Sequence, residues 1–340
     1  MEKLLSITNL KKYFPVAKSS FFAKQMYVRA NEDITLDIYK GETLGLVGES
    51  GCGKSTLGRV LLQLYEQTAG STMYYGRTLD TVAPEYVLDT LKNAEKYVSN
   101  YHKAVAHAEE MAKKCDALGD KATFFDIQDK NLAACDAKTA LDYAAKILGG
   151  FMVKDTAKGA GLLLNRYRHA FRAAALQGQI DEHHMEIEML GGVAEDEPKK
   201  AVSCEKKIKN HQAKINELEN LHKAAVAATE EAEKVLAAER AKYADDPEFQ
   251  KYEAMLDDGV DLKRLKYKEM RLLRKDLQII FQDPYSSLNP RITVKSTIQE
   301  PLKLSGKFHS NEELEKETTR LMDLVGIEKR LRNAYPHELD

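Results

Sequence analysis

The 340-residue chain balances 51 Lys and Arg against 53 Asp and Glu, and a formal charge of −2 offers no strong field to draw in nucleic acid or an anionic membrane. Its mean hydropathy is −0.48 and no run of about 18 apolar residues occurs, so no membrane-spanning helix is expected. The start, Met1 to Ile7, lacks the apolar core and small-residue cleavage site of a secretion signal. Cys52, Cys115, Cys135 and Cys204 form no Cys-x-x-Cys pair, which argues for reduced thiols over a zinc site or a disulfide framework.

In chain order, Ile34, Leu36 and Ile38 alternate with polar residues, which predicts a half-buried strand. Lys40-Gly41-Glu42 reads as a turn. Thr43 to Val47 is a nearly continuous apolar run, the pattern of a strand buried on both faces. A glycine-rich turn follows, then a helix from Thr56 to Leu64 with Leu57, Leu61 and Leu64 on one side, then a short strand over Ser71 to Tyr75.

From residue 77 to 262 the composition shifts to Ala, Lys, Glu and Asp. Leu91, Val98, Val105 and Ala112 recur every seven residues, with Ala94, Tyr101, Ala108 and Cys115 three positions later, an a/d pattern of four heptads that Gly119 ends. A second long helix is expected over Lys199 to Tyr243, with Ile208, Ile215, Leu218, Leu221 and Ala225 on its stripe. Between them, shorter helices are expected to break at Gly149-Gly150, Gly159, Gly161 and Gly191-Gly192. Asp246-Pro247 opens one more helix, with Asp as N-cap. Asp181-Glu182-His183-His184 is not read as a metal site, because neighbouring side chains on a helix point about 100° apart. The segment is read as an all-helical arm with a partly coiled-coil, antiparallel stem.

The last stretch begins near Lys263. Leu277 to Phe281 reads as a buried strand, Asp283 to Pro290 as a loop, and Ser310-Asn311-Glu312-Glu313 as a capping box opening a helix with Leu314, Leu321, Leu324 and Val325 that Gly326 stops.

The chemistry concentrates at Gly48-Glu49-Ser50-Gly51-Cys52-Gly53-Lys54-Ser55, which fits G-x-x-x-x-G-K-[ST] at every fixed position. The glycines let the backbone curl so that successive N–H groups form an anion nest, and the following helix turns its positive end to the same phosphates. Lys54 supplies a charge for the β- and γ-phosphates, and the Ser55 hydroxyl suits Mg²⁺. Cys52 is read as a small residue whose N–H does the binding.

Together, Lys40-Gly41-Glu42, the run Gly48 to Thr56, the stretch Leu277 to Pro290 and Tyr335-Pro336-His337-Glu338-Leu339 resemble an ABC transporter ATPase of the dipeptide and oligopeptide (or nickel) importer branch. The resemblance covers residues 1–76 and 263–339. It implies an α/β P-loop NTPase, an incomplete ABC-type nucleotide-binding domain, divided into a core part with the P-loop (1–76), a helical insertion (77–262), and a Q-loop strand with the start of a helical subdomain (263–340). It implies ATP and Mg²⁺ as cofactors, held by Lys54, Ser55 and Thr56, with Gln282 touching Mg²⁺ and the attacking water. Tyr13, or its neighbour Phe14, would stack on adenine. The implied partners are a second ABC ATPase domain, integral membrane permeases and, indirectly, an extracytoplasmic substrate-binding protein, at the cytoplasmic face of the membrane.

The sequence departs from the family in two ways. Leu339 is followed by Asp340 rather than Ser-Gly-Gly-Gln, and the signature motif, Walker B aspartate, catalytic glutamate and switch histidine are not among these residues. The expectation is a truncation, a frameshift or a fragment, with a split protein as a further option, and no turnover by this stretch alone. The insertion reads as a lineage-specific decoration or a docking arm. Two further readings stay open. A DNA-repair or chromosome-organising ABC ATPase would also carry a coiled coil, but usually after the Q-loop, whereas Gln282 follows the insertion here; basic patches for nucleic acid are absent. The other is a regulator that binds ATP without hydrolysing it.

Overall fold

A computed structural model describes residues 1–18, 25–196, 201–282, 287–304, 308 and 310–338. Two compact units are present, Met1–Leu277 and Gln278–Asp340.

The first unit is built on a small sheet in the order β2-β1-β3-β4, with β1 Lys3–Pro15, β2 Tyr27–Tyr39, β3 Ala69–Tyr74 and β4 Val260–Asp261. Every pairing described is antiparallel. The alternating stretch Ile34 to Ile38 lies in β2 and is half-buried, and Ser71 to Tyr74 lies in β3. Leu5, Ile7 and Leu10 of β1 pack with Leu57 and Val60 of α1 (Lys54–Leu61). This helix ends at Leu61, three residues short of expectation, and Leu64 is exposed.

Thr43 to Val47 does not form the expected strand. It is exposed throughout, Val47 at 98%. Backbone N–H and C=O groups need partners wherever they are buried, and no described strand lies beside this run to supply them. Leu277 to Phe281 likewise forms no strand, and Ile280 is 98% exposed. Apolarity alone buries neither run.

The helical segment follows as α2 Leu79–Val82, α3 Glu85–Lys92, α4 Ala94–Leu118, α5 Phe124–Leu148, α6 Thr156–Asp196, α7 Ala201–Ala241, α8 Pro247–Glu253 and α9 Tyr267–Leu273. All eight residues of the four-heptad pattern are wholly or partly buried. Leu91 belongs to α3, because the chain breaks helix at Asn93; α4 then runs to the stop at Gly119. α5 opens with a capping box, Thr123 and Asp126 bonding each other's backbone N–H groups.

Helices α6 and α7, 41 residues each, run antiparallel, as the pairs Lys158–Glu239, Arg166–Glu233 and His183–His211 show. The buried stripe of α7 includes Cys204, Ile215, Leu218, Ala225, Ala232 and Leu236. Leu221 is off it and exposed, one position short of the seam that passes through the half-buried His222. The start expected at Lys199 lies outside the described residues. Gly149-Gly150 does break the helices, in a short 3-10 turn. Gly159, Gly161, Gly191 and Gly192 do not; they sit inside α6. At Gly159 the reason is packing: a Cβ there would lie 2.1 Å from the Phe151 ring. Phe151 meets Phe249 edge-on at 5.4 Å, and Phe249 stacks on Tyr243 at 5.0 Å. Asp246 caps α8 through the Glu248 and Phe249 N–H groups, with Pro247 first in the helix, as the sequence predicts.

Sheet and helices share one core, which joins Leu5, Ile7, Leu57 and Val60 to Leu148, Phe151, Leu163 and Phe249. Arg264 reinforces the junction. Its guanidinium lies 4.4 Å from the Tyr86 ring and 4.3 Å from the Tyr143 ring, and donates to Thr90 Oγ1 at 2.6 Å.

The second unit holds α10 Val294–Leu304 and α11 Asn311–Leu324. The capping box at Ser310 and Glu313 forms as expected, and Gly326 takes a positive φ of 75° just past the helix. Glu315 gathers Lys295, Arg332 and Gln299. Leu314 is buried, but Leu324 and Val325 are exposed. Residues 283–286 of the predicted loop, and Leu339 and Asp340, lie outside the described residues.

Candidate nucleotide-phosphate site

The loop from Gly48 to Ser55 is shaped by two glycines and one buried amide. Gly51 and Gly53 take positive φ angles of 83° and 94°, where any side chain would be strained. A Cβ on Gly53 would lie 2.2 Å from the Ala30 carbonyl oxygen, so only glycine lets the loop seat on β2. Asn31, 6% exposed, secures the contact by donating from Nδ2 to the Gly53 carbonyl at 3.2 Å, while its Oδ1 is buried without a partner.

Above this base, Lys54 Nζ donates to the carbonyls of Gly48 at 2.8 Å and Glu49 at 2.6 Å, and lies 3.4 Å from Cys52 Sγ. The ammonium therefore closes the loop on itself. The N–H groups of Gly53, Lys54, Ser55 and Thr56 have no acceptor among the described residues. They are the unsatisfied donors that a helix start leaves, in an exposed loop. This donor set fits an anionic phosphate, and the hydroxyl of the exposed Ser55 is a hard oxygen of the kind Mg²⁺ takes.

Of the other candidate residues, three share the loop and the others lie outside it. Glu49, Ser50 and Cys52 are exposed in the loop. Gln282 lies in the second unit, in an exposed bend. Tyr13 is a buried strand aromatic, 7% exposed, whose hydroxyl donates to both carboxylate oxygens of Glu32 at 2.8 and 2.6 Å. Burial, then the Glu32 bond, push its pKa up to about 12. Burial raises the Glu32 carboxyl, but Lys11 and Tyr13 hydrogen bonds outweigh it and hold the group below its usual range. Phe14 is more accessible, edge-on to Tyr65 at 5.5 Å with Lys12 Nζ 4.6 Å from its ring. Asn31 was not singled out from the sequence. The signal is a lone amide within the strand-forming stretch Tyr27 to Tyr39.

Residues 31–156 match the ABC transporter family. The matched class is that of the P-loop NTPases, in agreement with the cradle at residues 48–55. Within that class, the chain resembles ATP-binding subunits of the peptide-importer branch. It is 50% identical over 78 residues to the oligopeptide transport ATP-binding protein OppF of Bacillus subtilis, covering 23% of each chain. It is 42% identical over 84 residues to AppF of the same organism, covering 25% of this chain and 26% of the relative. It is 49% identical over 73 residues to the dipeptide transport ATP-binding protein DppF of Haemophilus influenzae, covering 22% of each. The matched part thus spans about a quarter of the length of these relatives. No solved structure matches the chain. No helix among the described residues is long and apolar enough to cross a membrane.

Proposed function

We propose that the chain binds Mg-ATP at residues 48–56 as part of the energy-coupling subunit of a peptide importer. The observation that carries the reading is the row of four N–H groups without acceptors, Gly53 to Thr56, beside the ammonium of Lys54. On binding, Lys54 would exchange the Gly48 and Glu49 carbonyls for phosphate oxygens. Gly53 to Thr56 would donate to the phosphates, with Glu49, Ser50, Gly51 and Cys52 lining the turn. Ser55 would offer its hydroxyl to Mg²⁺. Bound Mg²⁺ supplies charge neutralisation at the phosphates. Of the two strand aromatics, Phe14 is the more open to an adenine face, because Tyr13 is committed to Glu32 and the core.

Residues 1–340 hold no Ser-Gly-Gly-Gln run. The proposed role of this stretch is therefore binding, with hydrolysis requiring groups from a second ATPase segment and coupling requiring permease subunits at the cytoplasmic face of the membrane. The paired helices α6 and α7 are proposed to act as a coiled-coil arm. The test is calorimetric titration of the purified chain with Mg-ATP together with a phosphate-release assay. The reading expects saturable binding and no release. Absence of binding would overturn it, and release by the chain alone would overturn the assignment of hydrolysis elsewhere.

A further inference from the structure

The turn between α4 and α5 brings an aromatic ring to the stretch of β2 on which the phosphate loop rests. Arg29 precedes Ala30, whose carbonyl faces Gly53, and pairs across the ladder with Tyr13. The strand register shifts between Lys12 and Tyr13, and such bulges re-aim side chains. The Arg29 guanidinium carbon lies 5.6 Å from the centre of the Tyr13 ring and 5.6 Å from that of Phe124, the first residue of α5. The Arg29 side chain is exposed and makes no hydrogen bond or ion pair among the described residues, although its charge reaches the Glu32 carboxylate. Its planar set of donors is thus oriented by two aromatic rings and otherwise open. Phe124 is delivered on a fixed element: the Thr123 capping box sets the start of α5, and Lys138 of the same helix bonds Asn9 of β1.

We propose that Arg29 contacts the base and ribose of the nucleotide whose phosphates the 48–55 loop receives, with Phe124 as its positioning residue, so that the helical segment is itself part of the ligand site. The inference rests on the nucleotide reading above. The guanidinium, already against two rings, donates from its edge to the sugar and the base. Phe124 holds that plane from the helical side.

The test titrates the full chain with Mg-ATP and, separately, with magnesium tripolyphosphate, which has the phosphates but no base or ribose. Arg29→Ala is expected to weaken Mg-ATP binding about fivefold and to leave tripolyphosphate within about twofold. Phe124→Leu should act in the same direction, and Phe124→Trp should restore affinity by keeping a ring face. The chain contains no Trp, so Phe124→Trp also installs a single tryptophan, which can be excited apart from the 16 tyrosines. Its emission should change on Mg-ATP binding and not on tripolyphosphate binding. An unchanged ratio of the two affinities in Arg29→Ala and Phe124→Leu, or Trp emission indifferent to saturating Mg-ATP, would overturn the proposal while leaving the phosphate site intact. A wild-type chain that binds neither probe would overturn the nucleotide reading, and this proposal with it.

Discussion

Thr43 to Val47 and Ser71 to Tyr74 lie in the same unit, and the more apolar of the two is the one left in solvent. Ser71, Thr72, Met73 and Tyr74 are buried, because β3 pairs with β1 on one side and β4 on the other. Leu44, Leu46 and Val47 are exposed, with no strand described on either flank. Burial of a strand is decided by partners for its backbone before it is decided by its side chains. The same contrast separates the loop at residues 48–55, held by one amide and closed on its own lysine, from the aromatic core beneath the helices.

That contrast can be broken or sharpened by substitution. The largest effect is expected at Phe249, 0% exposed between Phe151 and Tyr243. Phe249→Ala should cost about 3–5 kcal/mol in urea unfolding. Gly159→Ala, which would press a methyl into the Phe151 ring, should cost about 1–3 kcal/mol despite the better helix propensity of Ala. Gly161→Ala, two residues away with open space around it, should instead stabilise by about 0.4–1 kcal/mol. Reversal of that pair would contradict the packing of α6 on Phe151. A smaller effect is expected in alkali. The Tyr13 pKa is raised in the folded chain, so its contribution to stability is present below the ordinary value of 10 and is lost as pH rises toward about 12. Unfolding midpoints of the wild type and Tyr13→Phe should therefore converge over that window. The smallest is Val47→Ser, expected to stay within about 0.5 kcal/mol because Val47 is already in solvent. A loss of several kcal/mol there would mean that the run is buried after all.

What the sequence disclosed follows the same division. Local signals were legible. The caps at Thr123, Asp246 and Ser310 are contacts between residues a few positions apart; the last two were read from the sequence, and the first was passed over although its pattern is of the same kind. The stop at Gly119 and the spacing from Ala94 to Cys115 ahead of it depend only on positions along one helix, whereas Leu91 falls in α3, before the break at Asn93. Non-local outcomes were not legible. Whether Thr43 to Val47 finds neighbouring strands, whether Gly159 breaks a helix or admits Phe151, and whether Leu221 falls on the seam all depend on distant chain. The loop at residues 48–55 was legible as a motif because its glycines and lysine act locally. Its seat was not, since Asn31 and Ala30 come from a different strand.

The central claim is that this loop receives the phosphates of a nucleotide through Lys54 and the free N–H groups beside it. It is tested most directly by measuring the Mg-ATP dissociation constant of the wild type and Lys54→Ala by calorimetry, with urea unfolding of both as the control. Because the hydrogen bonds of Lys54 Nζ among the described residues all stay within its own loop, the account predicts unfolding free energies within about 0.5 kcal/mol of each other. It predicts an affinity at least about tenfold weaker in the variant. Equal affinities in two equally stable chains would contradict it.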